Sequence, residues 1–183
     1  MTQVWREWGP VILVSVAGLP LAGCLAFVLA GWRQRSGLAS ARAWARSAAE
    51  VGMVAGTLPW IWMILTPKPA AAHVSLVPLR DLAEQLAGEP AVAAVQIVAN
   101  LLVFTALGFF APIRFAALAG VVRLFMLGAA ASGLVEMLQF VLDLGRVSSV
   151  DDVLLNAVGA TVAGLTSRHW WRGGSSLGGQ ASP

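Results

Sequence analysis

Charge is what this sequence has least of. Only 11 % of its 183 residues are Asp, Glu, Lys or Arg, against 58 % that are hydrophobic. A soluble globular domain carries about a quarter charged residues. So little charge cannot cover the surface of a soluble protein of this size, and so much apolar content does not stay disordered. A soluble enzyme and a disordered chain are both excluded, which leaves a polytopic membrane protein. Cysteine is nearly absent. Cys24 stands alone, so no internal disulfide and no CxxC metal or redox site can form. The two histidines, His73 and His169, have no ligand set beside them, so neither a metal nor another cofactor is expected. An internal repeat is lacking too, which counts against a repeat-built transporter. The pI near 10.4 suggests nucleic acid, but the net charge is only +3 and all the basic residues but Lys68 are Arg. Those arginines find a topological role instead, so no nucleic-acid partner is expected.

Five apolar stretches are present. A bilayer core about 30 Å thick needs roughly 20 helical residues to cross it. Gly9–Trp32 and Pro90–Ile113 contain no charge at all. Ser47–Thr66 places Glu50 in its first turn and Pro59 inside, which spanning helices tolerate. Leu118–Leu142 is interrupted by Arg123 and Glu136, and Val153–Ser167 is the shortest. The expected fold is all-α, a polytopic membrane bundle of five transmembrane helices. Trp170 and Trp171, flanked by Arg168 and Arg172, read as an interfacial anchor.

Arginine distribution sets the orientation. Arg33, Arg35, Arg42 and Arg46 fill the first connection without an acid, whereas the second carries Lys68 and Arg80 against Asp81, Glu84 and Glu89. Alternation continues along the chain, with Arg114 in the third connection and mostly acids in the fourth. The expectation is an N-terminus outside and a C-terminus in the cytoplasm. Leu21-Ala22-Gly23-Cys24 also fits a lipoprotein cleavage pattern, but the apolar run continues past it to Trp32, where a signal's apolar region would have ended. Pro78–Gly88 reads as a short surface helix, with Leu79, Leu82 and Leu86 on one face and Arg80, Asp81, Glu84 and Gln85 facing away. Residues 1–46 form an N-terminal helix with a basic loop, 47–168 the membrane domain, and 169–183 a Gly- and Ser-rich disordered tail.

Polar groups inside a membrane are costly and mark function or structure. Asn100 lies mid-way along the third stretch. Glu136, Gln139 and Asp143 recur at i, i+3 and i+7 on the fourth, hence on one helix face. Asp152, Asn156 and Gly159 repeat that spacing on the fifth. Arg146 occupies the turn between, and Ser148 and Ser149 are placed to cap the helix that follows. Glu136 sits about 9 Å inside the end of its helix. The seven residues Asn100, Glu136, Gln139, Arg146, Asp151, Asp152 and Asn156 are therefore candidates for one pocket near the outer leaflet, where Arg146 pairs an anionic ligand group, Asp151 and Asp152 orient it, and Asn100 and Asn156 hydrogen-bond below. The structural alternative is an ion pair of Arg146 with Glu136 or Asp152 that locks the helices together. A purely structural role for the cluster, with Asp151 as a cap, stays open beside this. Gly159, Ala160, Ala163 and Gly164, with Gly108 on the third stretch, supply close-packing faces.

These residues resemble the VanZ-like family. The string from Ser132 through Glu136 to Gln139 is similar to its Glu-x-x-Gln pair. Arg146, Asp151-Asp152 and Asn156-x-x-Gly159 follow in the family's order. Asn100, Phe104, Leu107 and Gly108 match its upstream signature, and Leu76–Leu79 its short loop around a Pro. Ala106 stands where the family usually has Pro, so a proline kink in the third helix is not implied here. The resemblance covers about Ser47 to Arg168 and makes the first helix an addition to a four-helix core. It implies a bacterial envelope protein of the cytoplasmic membrane, in a family whose founding member is associated with low-level teicoplanin resistance, without a settled mechanism. Binding of a membrane lipid or lipid-linked glycopeptide amphiphile is one expectation. Chemistry on a lipid-linked substrate with Glu136 as general base is another, and a transporter or channel a third. No established catalytic motif decides among them, and homo-oligomerisation is left open.

Overall fold

The computed structural model describes residues 2–70 and 73–173. Helix α1 (Thr2–Arg35) runs unbroken through Pro10, Pro20 and the Leu21–Cys24 string, and α2 (Ser40–Leu65) runs unbroken through Pro59. A four-residue turn folds α2 back along α1, and the two pack together. Phe27 and Trp44 meet edge to face at 5.8 Å, and Arg33 donates to Ser47 Oγ and Glu50, each at 2.6 Å. The rest of α1 shows large apolar side chains outward, Leu13, Leu19 and Leu21 among them. An apolar face of that length suits a lipid environment.

Strand β1 (His73–Ser75) and helix α3 (Arg80–Ala87) follow, then α4 (Pro90–Val103) and α5 (Thr105–Arg114). The third apolar stretch is thus two helices rather than one. The break falls at Phe104, whose backbone turns out of the helix (φ −111°, ψ 19°) while its ring is buried. Thr105 Oγ1 donates to the Leu102 carbonyl at 2.8 Å, which also accepts from the Phe104 N–H. The chain breaks its helix without the family proline, two residues before Ala106. Val103 and Phe104 meet Val135 and Ala160 in the core, with Trp60, Ile61, Ile64 and Leu65 of α2 packed around them.

A 3-10 turn (Ala116–Leu118) leads to α6 (Val121–Val141), strand β2 (Val147–Ser149), α7 (Val150–Thr166) and α8 (Arg168–Gly173). Helix α8 occupies the start of the expected tail, and residues 174–183 lie outside the described residues. The all-α expectation is met apart from one short parallel ladder, β1 with β2, pairing His73 with Val147 and Ser75 with Ser149. Helix α7 is central and packs on α4, α5 and α6. Close approach explains its small residues: a Cβ on Gly159 would overlap the Leu101 carbonyl of α4, and Gly108 lies against Ala160 in the same way.

Among the described residues, four segments are long and apolar enough to cross a membrane: Trp8–Arg35, Ser40–Leu65, Pro90–Arg114 and Val121–Val141. The chain is a multi-pass membrane protein. Only four of the five expected spans meet that measure. Helix α7 has 17 residues, about 26 Å at helical rise, because β2 takes the preceding residues and two aspartates fill its first turn.

Candidate functional site

The turn between α6 and α7 organises the polar residues. Helix α6 ends in a Schellman motif: Leu144 N–H donates to the Gln139 carbonyl and Asp143 N–H to that of Phe140, both at 3.1 Å. Asp143 stands at the left-handed position of that motif (φ 47°). It has therefore left the helix, and the expected Glu136–Gln139–Asp143 face ends at Gln139. Gly145 follows with φ +63°, and a Cβ there would strike the Lys68 and Ala70 carbonyls. Lys68 N–H donates to the Leu144 carbonyl at 2.9 Å, so the chain leaving α2 is laid across this turn.

That contact decides what Arg146 does. Its Nη2 donates to the Met63 carbonyl at 2.8 Å and its Nε to that of Thr66 at 3.3 Å. Gln139 Nε2 donates to the Ile64 carbonyl at 3.1 Å. The last carbonyls of α2 have no partner within their own helix, and a cation at that end is favoured by the helix dipole. Arg146 and Gln139 therefore close α2. The expected ion pair between Arg146 and Glu136 or Asp152 is not formed. Among the described residues the ion pairs are Arg33–Glu50, Arg114–Glu50 and the exposed Arg80–Glu84.

Asp151, 2 % exposed, also serves a helix other than its own. Its carboxylate accepts from Leu79 N–H at 2.5 Å and Leu82 N–H at 2.9 Å, and so caps the start of α3. Leu79 adopts a left-handed conformation there (φ 64°). Ser149 caps α7, accepting from Asp151 N–H at 3.2 Å, and its hydroxyl donates to Asp81 at 2.5 Å. Ser75 donates to the other Asp81 oxygen at 2.8 Å. The Ser149 hydrogen bond, joined by that from Ser75, holds the Asp81 carboxyl below the usual carboxylate range against a smaller opposing effect of burial. Asp81 thus faces inward, whereas helical spacing alone turns it outward.

The remaining candidates divide into three places. Asn100 Nδ2 donates to Asp152, joining α4 to α7. Asn156, 4 % exposed, donates to Ser132 Oγ of α6 at 2.7 Å, and its Oδ1 is buried without a partner. Glu136 Oε2 accepts from Ser149 N–H at 3.2 Å, and its main-chain carbonyl accepts from Ser148 Oγ at 3.1 Å. No hydrogen bond among the described residues engages its Oε1.

Beside Glu136 lies a cleft of about 240 Å³, walled by Leu76, Met137, Phe140, Val150 and Val153 and floored in part by Ser148 and Ser149. Leu76, Met137 and Phe140 are more than half exposed, so the cleft opens sideways from the bundle. Of the seven expected residues Glu136 alone lines it, and the others hold α2, α3, α4 and α6 in place around it. The geometry offers a nearly wholly apolar trough with Glu136 among its lining residues. A wider depression of about 590 Å³ lies at the far end of α7, lined by Val162, Leu165, Thr166, Arg168 and His169. No three His, Cys, Asp or Glu side chains among the described residues gather as a cation site.

Sequence reasoning missed two groupings. One is Ser75, Asp81 and Ser149, which depends on the β1–β2 ladder and has no local signal. The other joins Glu50 to Arg33 and Arg114 at the opposite end of the bundle. There the uncompensated Arg runs were a signal that an acid within reach would be used.

A family model described as VanZ/LLP1 matches residues 53–171. No match is found among curated proteins or among solved structures.

Proposed function

The chain belongs to the VanZ/LLP1 family, and from that premise we propose that it binds an envelope amphiphile in the cleft beside Glu136, within the bacterial cytoplasmic membrane. The amphiphile is a lipid or the acyl tail of a lipoglycopeptide, and its retention there contributes to teicoplanin resistance. In this reading α7 is a fifth, shorter crossing, the N-terminus is outside, and the strand end of the bundle faces outward. Arg33 and Arg114 share their end of the bundle with Glu50, as the positive-inside rule asks of a cytoplasmic face. The acids Asp81, Glu136, Asp151 and Asp152 gather at the other.

The observation that carries the reading is the cleft's shape and lining. Apolar side chains form its walls, its open side is itself apolar, and Glu136 is among the residues that line it. An amphiphile entering from the bilayer would keep its chain in apolar surroundings and bring its head to Glu136. Cells making the chain should show reduced teicoplanin susceptibility or an altered pool of extractable lipids relative to cells without it. Met137→Trp, which fills the trough from its exposed wall, should remove that difference at equal membrane abundance. Identical susceptibility and lipid profiles with and without the wild-type chain overturn the reading.

A further inference from the structure

We propose that the cleft selects a single-chain amphiphile whose head is a protonated amine, with Glu136 as its partner. This rests on the amphiphile reading above and adds the charge and size of the ligand. The sequence pointed the other way, since Arg146 was the natural partner for an anionic head.

The structure withdraws Arg146 from that role. Two of its three nitrogens are engaged by the Met63 and Thr66 carbonyls that close α2, and it does not line the cleft. Asp151 is engaged by α3, and Asp81 by two serine hydroxyls. The Ser148 and Ser149 hydroxyls already donate to the Glu136 carbonyl and to Asp81. Among the residues lining the trough, Glu136 keeps a carboxylate oxygen, Oε1, that no hydrogen bond among the described residues engages. Asp81, Asp151 and Asp152 gather at this end of the bundle, where Arg146 is turned to the α2 carbonyls. Acids outnumber bases around the head position. An anionic head would meet this carboxylate unpaired, which is costly in a low-dielectric setting. An alkylammonium supplies the missing charge and up to three N–H donors.

Size points to a single chain. A volume of about 240 Å³ is less than twice that of a cavity, roughly 150 Å³, that holds one benzene, a scale that suits a single alkyl chain. The lateral opening past Leu76, Met137 and Phe140 lets the end of a longer chain continue into the bilayer.

The test uses the full chain reconstituted in phosphatidylcholine vesicles. Three twelve-carbon probes carry a photoreactive diazirine in mid-chain and differ only in head: amine, alcohol or carboxylate. Peptide mass spectrometry after illumination locates the labelled residues. The amine probe should label Met137, Phe140 or Val153 at least about tenfold more than the carboxylate, the ratio expected of one charge-assisted hydrogen bond. Glu136→Gln should lower amine labelling to the level of the alcohol and leave the alcohol itself unchanged. Met137→Trp should abolish cleft labelling by all three. Equal labelling by all heads, a preference for the carboxylate, or an amine preference that survives Glu136→Gln overturns the amine assignment and leaves the amphiphile reading standing. No cleft labelling by any probe overturns both.

Discussion

Several buried polar side chains of this protein take as partner a main-chain group at the end of another helix. Arg146 and Gln139 satisfy the carbonyls that α2 leaves open, and Asp151 satisfies the amides at the start of α3. Residues that look catalytic in sequence thus act first as caps. Asp81 is the one whose protonation reports this arrangement. Its carboxyl is held below the usual range, so its contribution to docking the β1–α3 segment is fully present above the unfolded value, about 3.9. That contribution is lost as pH falls through the folded midpoint. A carbon-13 NMR titration of the Asp side chains in detergent should place Asp81 below its ordinary value. Ser149→Ala should move that midpoint upward, and Ser75→Ala should move it in the same direction by less. A midpoint already ordinary in the wild type, or unmoved by both substitutions, contradicts this account of how the segment is held.

Between elements, fit is set by small residues on α7 and by the break at Phe104. The α4 backbone approaches α7 so closely at Gly159 that a methyl group meets the Leu101 carbonyl, which is main chain and cannot swing aside. Gly159→Ala should therefore destabilise the bundle by about 1–3 kcal/mol, the usual cost of forcing atoms into a filled interface. Gly133→Ala in α6, where an added Cβ meets nothing within 4 Å, should be neutral or stabilising. Thermal unfolding of the two variants in detergent decides, and equal midpoints would mean that the α4–α7 contact is looser than described. The small-residue spacing on α7 was legible in the sequence because helical periodicity is local. The partners of the polar residues were not. Arg146 meets carbonyls 80 and 83 positions away, and Asp151 meets amides 72 and 69 positions away. Nothing near either residue signals such distant groups. The break at Phe104 was hidden for a related reason: the ring is buried in the core shared with α6 and α7, and no helix-breaking residue marks the position.

At the scale of the whole molecule, the two ends of the bundle differ in sign. Glu50 joins Arg33 of α1 to Arg114 of α5, fastening the N-terminal helix, which lies outside the family match, to the helices that carry the family motif. The acids beside the cleft sit at the other end. Hydropathy and arginine counts are whole-segment properties, so the apolar helices were legible from sequence even though their exact limits and the shortness of α7 were not. If the ends face opposite sides of the membrane, labelling will separate them. The lone Cys24 is exposed on α1, and Cys24→Ala yields a background without cysteine. Single cysteines then replace Ser36 in the α1–α2 turn, Leu86 on α3 and Ala117 in the turn before α6. In intact spheroplasts, a membrane-impermeant maleimide should label Leu86→Cys and spare Ser36→Cys and Ala117→Cys. All three should label after the membrane is opened, because each position lies in or beside a connection rather than within an apolar span. The reverse pattern would turn the protein over and place the Glu136 cleft in the inner leaflet. It would then be out of reach of any extracellular glycopeptide, while a ligand drawn from the inner leaflet would fit the same trough.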